Sequence, residues 1–181
     1  MSKRAVFLDR DGTIVDDTQY LSRPERVHVL PGAAHAITRL REAGWTIVVV
    51  TNQSGIARGL LSLDEYEHVH ARMLALLEAE GARVDATYMC PHHPDFDEAC
   101  DCRKPGTLLF RQAAAEHDLD LASSYFVGDR WRDVAPSLAL RGRGILIDGG
   151  ATPADDRRRA NDAGIEIVAS LAEAAELVLS G

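Results

Sequence analysis

Six short apolar runs, each closed by a polar or glycine-bearing segment, alternate along this chain with stretches of helical periodicity. The runs cover residues 5–8, 45–50, 84–89, 125–127, 145–147 and 165–168. Runs without regular polar alternation suit strands buried on both faces, as in a parallel sheet. Between them, Pro31-Gly32 opens and Gly44 closes a helical segment over 33–43. Ser62-Leu63-Asp64-Glu65 is a capping box for a helix ending near Gly81, and Ser170-Leu171-Ala172-Glu173 starts the last helix. The repeated strand, helix, strand order predicts an α/β fold with a doubly wound, mainly parallel sheet. With 181 residues and 46% apolar content, one domain over 1–181 with a sizeable core is expected.

In such sheets ligands bind beyond the carboxyl ends of the strands, and the chemically active residue types fall there. Asp9-Arg10-Asp11-Gly12-Thr13 follows the first run and Thr51-Asn52-Gln53-Ser54-Gly55 ends the second. Arg103-Lys104-Pro105 opens the helix expected after the third. Gly128-Asp129-Arg130-Trp131-Arg132-Asp133 ends the fourth. On an extended chain, residues two apart point the same way at about 6 to 7 Å, so Asp9 can meet phosphorus while Asp11 reaches the leaving oxygen. A lone Asp-x-Asp can be an acidic strand end, but acid pair, hydroxyl, lysine and distal acid in this order predict one shared pocket. Asp133, four residues after Asp129, either supports a metal or favours a helix N-terminus.

The formal charge of −8 argues against a nucleic-acid or membrane-surface partner, because both attract basic stripes. No apolar stretch approaches the roughly 18 residues of a membrane span, and Met1-Ser2-Lys3-Arg4 leads straight into a strand, so a cytoplasmic protein is expected. Nothing resembles a coiled coil or an apolar association stripe, and a monomer is expected. The charge run over 155–159 reads as a solvated helix face. Cys90, Cys100 and Cys102 are the only cysteines, too few and too close for a disulfide framework; metal ligation accounts for them better.

The four segments together resemble the haloacid dehalogenase (HAD) superfamily of phosphohydrolases over essentially the whole chain. With Cys90-Pro91-His92-His93-Pro94 and Cys100-Asp101-Cys102-Arg103-Lys104-Pro105 they are similar, more narrowly, to the heptose-bisphosphate phosphatase family. The histidinol-phosphatase family is the nearest relative with the same metal loop. Arg130 fits that second pattern, whereas Ser54-Gly55-Ile56-Ala57-Arg58-Gly59 and His93 lean toward the heptose enzymes. The resemblance implies a HAD-like, Rossmannoid fold without a large cap domain. It implies an aspartyl-phosphate on Asp9, acid and base work by Asp11, and phosphoryl contacts from Thr51 and Lys104. Mg2+ would be held by Asp9, the main-chain carbonyl of Asp11, and Asp129. The substrate would be a small phosphorylated sugar.

The family's sugar-contacting loop falls on Asp17, Thr18, Gln19 and Tyr20, and the resemblance extends substrate contact to Asn52, Gln53, Ser54, Arg103 and Arg130. Arg103 would meet the non-reacting part of the substrate, for which a forked guanidinium is suited. Cys90, Cys100 and Cys102 with one histidine make a closed tetrahedral set for structural Zn2+. Spacing permits His92 or His93; the family pattern takes His92. A phosphoreceiver signalling domain also combines acids, a threonine and a lysine on such a sheet, but places its phosphoacceptor after a central strand in chain order and has no metal loop.

Overall fold

Strand β1 (Ala5–Leu8) is buried at every position and lies in the middle of the sheet. The computed structural model describes residues 3–18 and 20–181, so Gln19 of the expected sugar loop lies outside the described residues. The chain continues through α1 (Ala33–Glu42), β2 (Thr46–Asn52), α2 (Leu63–Ala79), β3 (Ala86–Cys90) and α3 (Leu108–His117). The second half comprises β4 (Tyr125–Gly128), α4 (Trp131–Val134), α5 (Pro136–Leu140), β5 (Arg143–Ile147), α6 (Ala154–Asp162), β6 (Glu166–Val168) and α7 (Leu171–Ser180). Every neighbouring pair is parallel, in the order β3-β2-β1-β4-β5-β6. The chain winds outward from β1 through β2 and β3, crosses back to β4 on the other side of β1, and winds outward again. That reversal opens a crevice beyond the end of β1.

Successive strand residues face opposite ways, and both faces are covered. Val6 and Leu8 pack with Ile37 and Leu40 of α1, Met73 and Leu77 of α2, and Val178 of α7. Ala5 and Phe7 point the other way, against Phe110 and Ala113 of α3 and Phe126 of β4. Phe7 stacks on Phe126 at 5.0 Å between ring centres and meets Phe110 edge-on at 5.3 Å. A smaller cluster of Val134, Leu146, Ala160 and Ile165 seats α4 and α6.

The Ser62 capping box forms as expected. At α7 only half of the box does: Ser170 accepts the Glu173 N–H, while the Glu173 carboxylate takes the N–H of Ala169. Strand β2 runs to Asn52 rather than stopping at residue 50, because Thr51 and Asn52 pair with Met89 and Cys90. The charge run on α6 is only partly solvated: Asp156 accepts the Trp131 N–H, and Arg157 reaches the Thr152 carbonyl.

Two expectations are corrected. Lys104 does not start a helix; α3 begins at Leu108. Pro105 disfavours the helical region for the residue before it, and a Cβ on Gly106 would come within 2.3 Å of the Asp101 carbonyl oxygen, so 103–106 form a tight loop. The strand pleat also does not aim Asp11. β1 ends at Leu8, and the chain then turns, with the Ile14 and Val15 N–H groups on the Arg10 carbonyl and the Gly12 N–H on that of Val15.

Among the described residues, the two long connections after β1 and after β3 contain no α-helix of their own, so no cap covers the crevice. No helix is long and apolar enough to cross a membrane. Phe7→Ala is expected to cost about 3–5 kcal/mol, because it empties the junction of three rings; chemical denaturation of both proteins measures this.

Candidate active site

The crevice is built on one buried cation. Lys104 is 2% exposed, and its Nζ lies 2.7 Å from Asp9 Oδ1, 2.8 Å from Asp133 Oδ1 and 2.6 Å from the Val50 carbonyl. Burial alone would lower the lysine's pKa, but Asp133 and Asp9 more than reverse this, and the net displacement is upward. Lys104 therefore stays charged. Asn52, at the end of β2, fixes its main chain twice, accepting the Lys104 N–H at 3.0 Å and donating to the Lys104 carbonyl at 3.2 Å.

Asp9, Asp129 and Asp133 each present a carboxylate oxygen within 4.8 Å of the others, all three buried. Two glycines permit this closeness. A Cβ on Gly12, whose φ is +79°, would lie 2.5 Å from Asp129 Oδ2, and one on Gly128 would lie 2.4 Å from Asp133 Cβ. Burial, then the charges of Asp133 and Asp9, push Asp129 up to about 7. Burial and Asp9 also raise Asp133, against the pull of Lys104. Lys104, Arg130 at 3.1 Å from Asp129 and Arg132 at 3.9 Å from Asp133 offset this negative charge in part, and hard oxygen donors at this spacing fit a divalent cation. Asp133 Oδ2 accepts the Arg130 N–H at 3.0 Å within the first turn of α4, as the helix N-terminus reading expects.

Asp11 faces a different pair. Its oxygens accept from Arg10 Nη2 at 3.0 Å, Arg10 Nε at 3.1 Å and Gln53 Nε2 at 2.8 Å. Its pKa is raised, by burial first and by Asp9 as well, with Arg10 opposing. Gln53 Nε2 also reaches Thr51 Oγ1 at 2.8 Å, and Gln53 Oε1 accepts from Arg10 Nη2, so the acid and the threonine are held by one amide.

Above these groups opens a cavity of about 350 Å3. Asp9, Asp11, Asp17, Tyr20, Asn52, Gln53, Ser54, Arg103 and Asp129 line it, as the sequence predicts. Thr51 and Lys104 stand behind that lining, bonded to Gln53 and Asp9. Arg130 is not in the wall; it pairs with Asp129 at 3.1 Å and Asp17 at 3.4 Å. Thr18 is exposed and outside the cavity wall. Three lining arginines, Arg10, Arg58 and Arg132, have no role in the sequence reading, and His93 enters it only as the alternative ligand of the metal loop. Arg58 and His93 sit within the quoted family segments. The burial of Arg10, 1% exposed between two acids, had no signal in the sequence.

A second cluster gathers Cys90 at the end of β3 with His92, Cys100 and Cys102. Cys102 Sγ is 2.9 Å from Cys90 Sγ, 3.2 Å from Cys100 Sγ and 3.2 Å from His92 Nδ1, and no disulfide joins them. Burial opposes ionisation of Cys100, but hydrogen bonds from Cys102, the Arg103 main chain, His92 and Cys90 bring it down to about 7. Such a set fits a soft metal ion. Of the two histidines, His92 turns to the sulfurs, while His93 Nδ1 takes the Asp95 N–H and its ring meets Phe96.

The family model for HAD-hydrolase-like proteins matches residues 101–174, and that for polynucleotide kinase 3 phosphatase matches residues 4–137. A D-glycero-beta-D-manno-heptose-1,7-bisphosphate 7-phosphatase of Pseudomonas putida (strain KT2440) is 41% identical over 148 residues, 81% of this chain and 83% of its own. One from Yersinia pestis is 37% identical over 94% of each chain. Among solved structures, a D,D-heptose 1,7-bisphosphate phosphatase from B. bronchiseptica, complexed with magnesium and phosphate, superposes with a TM-score of 0.83 at 35% identity, covering 98% of both chains.

Two expected outcomes follow from this geometry. Asp129 ordinarily ionises near 3.8 and here near 7, so below about pH 7 a divalent cation has to displace its proton. Mg2+ affinity should therefore weaken by up to about tenfold per unit as the pH falls from 7 to 5, as read by calorimetric titration. Because the same shift makes the metal-free fold lose stability as pH rises from 3.8 toward 7, Mg2+ should raise the melting temperature more at pH 8 than at pH 5. A metal held by the sulfur cluster would be lost from Cys102→Ser in elemental analysis, with a lower melting temperature and a lower kcat, because Lys104 is only two residues away.

Proposed function

The chain belongs to the family of D-glycero-beta-D-manno-heptose-1,7-bisphosphate 7-phosphatases, within the HAD-like hydrolases, and on that premise we propose how its residues remove the C7 phosphate. The observation that carries the reading is Asp9, buried at the end of the central strand, held by Lys104 and facing the cavity. An Asp9 oxygen bonds to phosphorus as the ester bond to the sugar oxygen breaks, and that oxygen takes a proton from Asp11. In the second displacement Asp11 accepts a proton from water, the water oxygen bonds to phosphorus, and inorganic phosphate leaves Asp9. The upward shift of Asp11 supports a carboxyl that can arrive protonated. Lys104 supplies a fixed positive charge, and Thr51, oriented by Gln53, a hydroxyl, for the phosphoryl oxygens.

Asp9, Asp129 and the main-chain carbonyl of Asp11 would hold Mg2+, with Asp133 beside them. When bound, the ion offsets the repulsion between a carboxylate nucleophile and a phosphate dianion. Cys90, His92, Cys100 and Cys102 would hold structural Zn2+, leaving no position open for water. The ion would order a loop too poor in apolar residues to order itself. Asp17, Tyr20, Asn52, Ser54 and Arg103 would contact the sugar; Arg130, outside the wall, would hold Asp17 and Asp129 in place. The β anomer is favoured because the relatives' names specify it.

The polynucleotide alternative raised by one family model is disfavoured by the net charge of −8 and a cavity of about 350 Å3, which suit a small sugar phosphate. Histidinol phosphate would bring an ammonium group toward a wall that carries Arg58 and Arg103. Three free thiols fit a reducing compartment, and a cytoplasmic monomer is the proposed state.

Phosphate release assayed in parallel on α- and β-heptose 1,7-bisphosphate, histidinol phosphate and fructose 1,6-bisphosphate should show the β-heptose substrate dominant, with steady turnover that Asp9→Asn eliminates. Dominance of histidinol phosphate would reject the assignment.

A further inference from the structure

Arg10 is buried where an arginine is costly. It is 1% exposed, and among the described residues Asp11 is its one ion-pair partner, held as a fork from Nη2 to Oδ1 at 3.0 Å and from Nε to Oδ2 at 3.1 Å. Its third nitrogen, Nη1, has no hydrogen-bond partner among the described residues, and a donor left so in an interior lowers stability. The remaining neighbours are neutral. The guanidinium lies 5.4 Å from the ring centre of Tyr66 on α2, and Tyr66 stacks on His70 at 5.8 Å. Burial pushes the Tyr66 hydroxyl up to about 12, and burial, then the Arg10 charge, lowers His70, so both stay uncharged near neutral pH. Stability alone does not account for an arginine seated in this way.

Its other bond from Nη2 reaches Gln53 Oε1 at 3.1 Å. A guanidinium can only donate, so the Gln53 amide must turn its oxygen toward Arg10 and its nitrogen the other way. That nitrogen gives both of its protons, one to Asp11 Oδ2 and one to Thr51 Oγ1, each at 2.8 Å. Thr51 thereby accepts, and its own proton stays free for a phosphoryl oxygen. With the amide reversed, the Gln53 oxygen would face the Asp11 carboxylate and would take the Thr51 proton for itself. One arginine thus fixes the direction of every bond in a chain that runs through Gln53 to Asp11 and Thr51.

We propose that Arg10 is a positioning residue of the reaction: its fork fixes the plane of the Asp11 carboxyl, and through Gln53 it leaves the Thr51 hydroxyl proton to the phosphoryl group. It acts through these partners, not on the substrate itself. The inference rests on the phosphatase reading and deepens it. Proton transfer to a leaving oxygen tolerates little displacement, and a misplacement of about 1 Å can cost about 10²-fold in rate.

The test compares kcat/KM for two esters in wild type, Arg10→Met and Arg10→Lys. One is β-heptose 1,7-bisphosphate, whose sugar oxygen must gain a proton as it leaves; the other is p-nitrophenyl phosphate, whose oxygen leaves as a stable phenolate. In Arg10→Met the constant for the heptose ester should fall about 10²-fold and that for p-nitrophenyl phosphate about tenfold or less, the shared part arising from Thr51. Arg10→Lys keeps the charge but not the fork; it should show the same split to a smaller extent, and it carries the test where Arg10→Met does not fold. On a Gln53→Leu background, Arg10→Met should cost about tenfold less than on wild type. Equal losses on the two esters, or none, in a variant that melts cooperatively would show that Arg10 only fills the interior and would overturn the proposal, as would strict additivity with Gln53→Leu. Wild type that hydrolyses another alkyl phosphate and not heptose bisphosphate would sink the heptose assignment alone, and the same comparison is then made with that ester. Wild type inert on every alkyl phosphate would sink the phosphatase reading and this inference with it.

Discussion

A lysine ammonium with almost no contact with water must be surrounded by enough negative charge to replace its hydration, and Lys104 meets that demand with Asp9, Asp133 and the Val50 carbonyl. Each partner comes from a different part of the chain: the end of β1, the first turn of α4 and strand β2. The ion pair can exist only if the sheet brings β2, β1 and β4 side by side, which the order β3-β2-β1-β4-β5-β6 does. Removing the lysine charge leaves the carboxylates buried and unmatched, a cost of several kcal/mol. Stability and the proposed chemistry therefore draw on the same contacts here, and the position of Asp9, the proposed nucleophile, follows from the fold.

The metal loop belongs to the same constraint. Lys104 reaches the interior from a loop, not from a helix, and a loop carries little stiffness of its own. Two devices supply it. Asn52 grips the lysine's main chain from β2, and the sulfur cluster anchors the chain at Cys100 and Cys102, immediately upstream. Cys90 sits at the end of β3, so the cluster ties this loop to the sheet edge. Among the described residues no cap orders these segments by burial, and the contacts within the sulfur cluster and among Tyr20, Arg58 and Phe96 take that part.

Much of this was legible in the sequence, for definable reasons. The six strands and the Ser62 and Ser170 helix starts follow from local apolar patterning and capping chemistry, which do not depend on distant residues. Asp9, Thr51 and Asp129 were legible because strand ends in a parallel sheet converge at its carboxyl edge whatever the loops do, whereas Lys104, in the loop between β3 and α3, was legible from its place in the order of the motifs. What local patterning could not supply was direction beyond the strand ends. Asp11 lies in a turn closed on the Arg10 carbonyl, so the pleat did not apply to it. The helix after β3 starts four residues late because Pro105 and the close packing of Gly106 hold the chain in a loop. Arg10 had no signal at all: an arginine between two aspartates reads as solvent-exposed charge, and only the tertiary structure shows it buried beneath Tyr66.

That buried arginine explains how two carboxylates so close in sequence can do different work. Asp9 is bonded to Lys104 and surrounded by Asp129 and Asp133, a setting in which negative charge is concentrated and a cation is wanted. Asp11 is turned away, onto Arg10 and Gln53, at the lip of the cavity. Burial raises the pKa of Asp11 while Arg10 opposes the rise, and the net displacement is upward. A group that gives a proton in one displacement and takes one in the next needs that balance. Asp9 thus belongs to the carboxylate group beside Lys104, and Asp11 to the pair of Arg10 and Gln53.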